Sequence, residues 1–178
     1  GDIKVQDVDG NGVITTDDRI IYSQRPDVTF GFNNTFNYKG FDLSVFLYAR
    51  LGQWIAYDYN TTYRINALEN GGNVDYWTPE NPTNAFPRPN KSKSYTQVTY
   101  YSTLKYEDGS FFKIRDITLG YTFKPELLKH LNLSRLRVYA TAKNFFTFSK
   151  IDNYDPEQGG SISFPMTKQL VFGLNVEF

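Results

Sequence analysis

The final ten residues, Gln169-Leu-Val-Phe-Gly-Leu-Asn-Val-Glu-Phe178, constrain the fold of this chain more than any other stretch. Leu170, Phe172, Leu174, Val176 and Phe178 share one face of an extended strand. Gln169, Gly173, Asn175 and Glu177 share the other, with Val171 the exception. Successive side chains of a strand point to opposite faces, so this spelling makes one apolar row and one polar row. A strand of this kind that ends on an aromatic suits the closing strand of a transmembrane β-barrel, with one row on lipid and the other on the lumen. A half-buried strand of a soluble sheet alternates too, so the rest of the chain must decide.

Four more segments alternate in the same way. Residues 27–38 set Val28, Phe30, Phe32, Phe36 and Tyr38 against Thr29, Gly31, Asn33, Thr35 and Asn37. Residues 41–51 set Phe41, Leu43, Val45, Leu47, Ala49 and Leu51 against Asp42, Ser44, Phe46, Tyr48 and Arg50. In 110–123, Ile117, Leu119, Tyr121 and Phe123 oppose Asp116, Thr118, Gly120 and Thr122, but Phe112 and Ile114 fall in the opposite phase. That phase change predicts a β-bulge or an exit from the membrane. Residues 135–146 place Leu136, Val138, Ala140 and Ala142 opposite Arg137, Tyr139, Thr141 and Lys143.

The connections alternate as well. A tight turn at Lys39-Gly40 is followed by the long stretch 52–110, a short turn over 124–134, and a second long stretch, 147–166. Outer-membrane barrels have this asymmetry, with short periplasmic turns and long extracellular loops. With Phe178 at the periplasmic end, both long loops and residues 1–26 lie outside the cell. The fold class expected is all-β and antiparallel, the last five strands of a large transmembrane barrel. Five strands do not close a barrel, for which about eight is the minimum. Either copies assemble or the chain is part of a longer one, and its start at Gly1-Asp2-Ile3, with neither Met nor signal peptide, favours the second.

Composition agrees. Aromatics make up 17% of the 178 residues, yet mean hydropathy is −0.50. No run approaches the roughly 18 apolar residues of a membrane helix. Lumen-facing positions dilute lipid-facing ones in a barrel, which reconciles these facts. The net charge of zero gives no reason to expect nucleic acid as a partner. With no cysteine, disulfide and thiol chemistry are excluded.

The sharpest local motif is Asp7-Val-Asp9-Gly-Asn11-Gly12-Val13-Ile14-Thr15-Thr16-Asp17-Asp18. Oxygen ligands at loop positions 1, 3 and 5, glycine at 6 and a carboxylate at 12 match a calcium loop. Asp7, Asp9, Asn11, the Val13 carbonyl and Asp18 would hold a structural Ca²⁺, with Asp18 a shorter arm than the usual glutamate. Thr16 is the expected cap of a short helix over 17–22. The long loop carries Trp54, Tyr57, Tyr59, Tyr63, Tyr76, Trp77, Tyr95, Tyr100 and Tyr101. Trp54, Tyr57, Tyr59, Tyr76 and Trp77 are candidates for stacking on sugar or gripping peptide, and packing within the loop is the alternative. His130 is the only histidine and has no nucleophile beside it, and the pairs Glu107/Asp108 and Asp155/Glu157 are not placed across any cleft by sequence. Nothing points to an enzyme.

Several stretches together carry a family resemblance. They are the opening Gly1-Asp-Ile-Lys with the Asp7–Ile14 motif, Tyr76-Trp-Thr-Pro-Glu-Asn-Pro-Thr-Asn84, Phe112-Lys-Ile-Arg-Asp-Ile-Thr-Leu-Gly-Tyr121, Leu136-Arg-Val-Tyr with Lys143-Asn-Phe-Phe-Thr147, and Tyr154-Asp-Pro-Glu157. In these the chain resembles the C-terminal end of TonB-dependent outer-membrane transporters of the SusC/RagA type. Phe112-Lys113 stands where Leu-Arg is usual, and Asn144-Phe145 where Asn-Leu is usual. The resemblance implies a barrel of about 22 strands, a bacterial outer-membrane location, and an energising TonB complex contacted through a part of the protein outside this sequence. It also implies a SusD-like surface lipoprotein as lid and a glycan or peptide as cargo. Phe178, with the apolar row it ends, is expected to be an assembly signal. A soluble, calcium-stabilised β-sandwich carbohydrate-binding module is the competing reading. It gives no reason for charge-free rows on one face of every strand.

Overall fold

The computed structural model describes residues 1–63, 71–91 and 101–178, the side chains of 101 and 102 excepted. Tyr95, Tyr100 and the Tyr101 side chain lie outside the described residues. Among the described residues seven strands form: β1 (Val28–Tyr38), β2 (Phe41–Leu51), β3 (Trp54–Ala56), β4 (Tyr106–Asp108), β5 (Phe111–Thr122), β6 (Arg135–Ser149) and β7 (Gln169–Glu177). Five of them make one antiparallel sheet in the order β1-β2-β5-β6-β7, and β3 pairs with β4 in a separate ribbon. All five expected strands are present, and β6 runs three residues beyond its expected end.

Register converts the alternation of single strands into continuous rows. One row crosses the sheet as Phe36, Leu43, Leu119, Ala140 and Phe172, and the next as Tyr38, Phe41, Tyr121, Val138 and Leu174. The opposite face runs Thr35, Ser44, Thr118, Thr141 and Val171, then Asn33, Phe46, Asp116, Lys143 and Gln169. No charged residue stands in the two apolar rows, and their side chains stay open: Phe36 is 60% exposed, Leu174 66% and Phe172 74%. A soluble sheet would bury such a face under a second layer, and an apolar face this wide left uncovered marks an interaction surface.

Of the two causes expected for the phase change in the third long strand, the structure shows the bulge. The pairs Phe46↔Asp116 and Leu47↔Ile114 leave Arg115 as an extra residue in β5, a bulge. One inserted residue reverses the phase, so Phe112 and Ile114 rejoin Ile117, Leu119 and Tyr121 on the apolar face. Facing it, β6 also breaks register between Lys143 and Phe146, with Asn144 in the left-handed region at φ 58°. The Lys39-Gly40 turn takes φ 48° and 90°, the paired positive values of the hairpin turn whose twist matches its strands. A Cβ on Gly40 would meet the Thr122 carbonyl at 2.8 Å, so glycine alone fits there.

The two ends of the sheet differ. At one end lie the Lys39-Gly40 turn and a short helix, α2 (Pro125–Leu128), that buries Leu128. At the other lie the β3–β4 ribbon, the one-turn helix α1 (Asp58–Thr61) and residues 150–168. A buried apolar cluster sits here, made of Ile55, Tyr57 and Ile151 with Tyr59, Tyr154 and Ile162 against it. The core is therefore at this loop-bearing end, and the sheet itself is a single layer.

Candidate functional site

The polar face of the wall is built of paired charges. Arg137 on β6 grips Asp42 on β2 with two bonds, Nε–Oδ1 at 2.8 Å and Nη2–Oδ2 at 2.5 Å, reaching across β5. The bridge passes over Gly120, where a Cβ would stand 2.5 Å from both Arg137 Nη2 and Asp42 Oδ1. Gly173 likewise leaves room for the Tyr139 ring. Thr118 and Thr141 share a hydroxyl–hydroxyl bond of 2.8 Å one row further along.

Nearer the loop-bearing end stands the most buried charge described. Lys113 on β5 has no exposed surface. Its Nζ donates to both oxygens of Asp155, at 2.9 and 2.6 Å, and to Glu157 Oε2 at 2.9 Å. Arg115, the bulge residue, reaches Glu157 Oε1 at 3.0 Å and lies over the Tyr48 ring at 5.3 Å. Asp155 also caps the 3-10 turn Pro156–Gln158 by accepting from the Glu157 amide at 3.0 Å. Two cations of the wall thus hold two carboxylates of the second long loop. Desolvation of this kind is tolerated only when every charge is answered.

The aromatic candidates divide. Tyr57 and Tyr59 come together, ring centroids 5.9 Å apart, beside a cleft of about 230 Å³ that Asn60, Phe86, Glu107 and Asn153 also line. The Tyr57 hydroxyl is buried, and that burial pushes its pKa up. Trp54 instead packs on Tyr22, with centroids 4.5 Å apart. Trp77 lies against Gly1, whose carbonyl accepts from the Arg88 amide, and Tyr76 bridges to Phe86. Asp75 accepts from Thr83 and Asn81, and these bonds hold its carboxyl below the usual range.

In the first segment, carboxylate oxygens of Asp7, Asp9 and Asp18 lie within 4.8 Å of one another. Asp7 accepts from the amides of Gly10 and Gly12, both at positive φ, and Asp18 from those of Thr15 and Val8. Those backbone bonds, Thr15 first and Val8 next, lower the Asp18 pKa. Asn11 donates to Asp9 and turns its Oδ1 to the Val13 amide. The expected helix over 17–22 is a correction: the structure has a single 3-10 turn, Thr16–Asp18, capped by Thr15 rather than Thr16. Asp18 reaches back to the Thr15 amide, which closes the turn early.

No family model matches the chain. Among curated proteins, TonB-dependent receptor P3 of Formosa agariphila is 31% identical over 97% of this chain and 18% of its own length. TonB-dependent receptor SusC of Bacteroides thetaiotaomicron is 31% identical over 97% of this chain and 17% of its own. A solved structure of the RagAB peptide importer in the closed-closed state superposes with a TM-score of 0.73 and 28% identity, over 97% of this chain. The chain belongs to the SusC/RagA-type TonB-dependent receptors. It spans about a fifth of the length of the relatives it matches. These receptors are outer-membrane β-barrel proteins, and the five-stranded sheet is barrel wall.

Within such a receptor wall, the sequence reading found the strand faces but missed the Lys113–Asp155–Glu157 cluster. The partners stand 42 and 44 positions apart, on a strand and a loop. The available signal was Lys113 itself, a cation on a strand whose register places it among inward residues.

Proposed function

We propose that this chain supplies wall strands and mouth loops to a receptor that imports oligosaccharide or oligopeptide across the outer membrane, energised by TonB through another part of the protein. One observation carries the reading: five paired strands present charge-free apolar rows on one face and ion-paired polar rows on the other. Lipid accepts the first and an aqueous lumen the second. The full barrel has about 22 strands. Residues 1–26 and both long loops face outside, where a SusD-like lipoprotein closes over them. The likeness to the RagAB peptide importer supports a peptide cargo, with a glycan as the alternative.

Calcium is proposed as a structural ion of the first segment, held by Asp7, Asp9, Asn11, the Val13 carbonyl and Asp18. The residues fit it: three clustered carboxylates repel one another without a cation, and an all-oxygen donor set around a glycine turn suits Ca²⁺. The ion orders 1–26 and takes no part in transport. The test of the whole reading is uptake by intact cells carrying the full-length receptor, with fluorescent oligosaccharide and oligopeptide pools. Uptake of one pool that needs TonB supports the reading, and TonB-independent uptake of both refutes it.

A further inference from the structure

We propose that Lys113 is a positioning residue: with Arg115 it clamps the two mouth loops into one rigid rim. The inference rests on the transport reading above and adds to it how the mouth is held in shape. The chain of contacts is continuous. Lys113 and Arg115 stand on the wall strand β5 and hold Asp155 and Glu157. Asp155 caps the turn Pro156–Gln158, whose Pro156 is buried. The next residues bring Gly160 against the first loop, where its carbonyl accepts from the Asp58 amide at 3.0 Å. A Cβ on Gly160 would stand 2.2 Å from the Ala56 carbonyl oxygen, and its φ is 96°. Ile151, Tyr154 and Ile162 of the second loop then close over Ile55, Tyr57 and Tyr59 of the first.

The ionic part of this chain decides its strength. Apolar contacts between loops yield locally, at low opening free energy. A fully buried ammonium with three carboxylate contacts does not, because separating it strands charges away from water on both sides. The clamp therefore fixes where Tyr57 and Tyr59 stand relative to the wall. Losing it lowers the fraction of receptors with a competent rim, and apparent affinity falls by that fraction. The energised step downstream is untouched, so the effect belongs in KM.

The experiment uses the full-length receptor with Lys113→Met, Lys113→Arg and Asp155→Asn. Lys150 and Lys168 flank the clamped turn and give trypsin a reporter on each side. In the purified receptor, Lys113→Met and Asp155→Asn are expected to raise cleavage at these sites at least about tenfold, while Lys113→Arg stays near wild type. In cells, Lys113→Met is expected to raise import KM about tenfold with the maximal rate within about twofold. Wild-type cleavage rates in both neutralised variants would overturn the clamp and leave the transport reading standing. Should Lys113→Met not assemble, Asp155→Asn carries the same comparison. Failure of the transport reading shows separately, as TonB-independent uptake in the wild type.

Discussion

Substituting Arg for Ile117 puts a charge where the account requires hydrocarbon. Ile117 lies in the apolar row of β5, with Val45 on one side and Ala142 on the other. From Tyr121 to Phe112 the row covers about eight strand steps once the bulge is discounted, or about 26 Å at about 3.3 Å each. At a tilt of about 40° that is about 20 Å along the membrane normal. Ile117 is halfway, about 10 Å from the ring pair Phe41–Tyr121 at one end. Arginine at that depth of a barrel's lipid face costs about 2–4 kcal/mol, and about 3 kcal/mol is two orders of magnitude in the folding equilibrium. Ser44→Arg is the control: Ser44 pairs with Thr118 on the opposite face, where a cation meets water. Its only described side-chain bond, a 3.3 Å contact with Asn33, contributes little. The assay is urea unfolding of the full-length receptor refolded into lipid vesicles. Equal losses for the two variants, or a larger loss for Ser44→Arg, would refute the assignment of faces.

Other outcomes follow from the same geometry. Gly120→Ala drives a methyl into the Asp42–Arg137 bridge and is expected to destabilise the barrel by about 1–3 kcal/mol, measured by the same unfolding; an alanine variant of wild-type stability would show that the bridge needs no cleared space. Calcium at about 10 mM is expected to stabilise the 1–26 segment by about 1.4–2.7 kcal/mol if its dissociation constant is about 10⁻³–10⁻⁴ M. Amide exchange reads this out, and no protection in calcium would refute the site. Because the folded-state pKa of Asp18 is lowered, its contribution is complete above the ordinary carboxylate range and is lost as pH falls through the lowered value. Protection of the 8–15 amides, taken relative to their intrinsic exchange at each pH, should therefore hold from neutral pH down to that range and fall below it. Deleting Phe178, which continues the apolar row of β7, is expected to leave precursor in the periplasm; normal assembled yield would remove its role as a signal.

Much of the wall was legible because a strand's period is two and each row meets one solvent. Even the bulge was visible as the phase clash of Phe112 and Ile114 with Ile117. The β3–β4 ribbon was not, since two strands of three residues each are too short to show a period. The ion pairs were hidden for another reason. Asp42 and Arg137 are 95 positions apart, and only register brings them together over Gly120. Similarly, Asp155 and Glu157 look like solvated loop residues until the fold sets Lys113 beneath them. Among the aromatics, sequence could not separate Tyr57 and Tyr59, which line the cleft, from Trp54 and Trp77, which pack on Tyr22 and Gly1.

One face of this sheet meets lipid. Spin labels on the full-length receptor in vesicles test it most directly, placed singly at Leu170 and Leu174 and, on the other face of β7, at Gln169 and Asn175. Labels at Leu170 and Leu174 are expected to be relaxed by oxygen dissolved in the bilayer and shielded from a water-soluble nickel chelate, with the reverse at Gln169 and Asn175. Nickel access at Leu170 and Leu174 equal to that at Gln169 and Asn175 would contradict it.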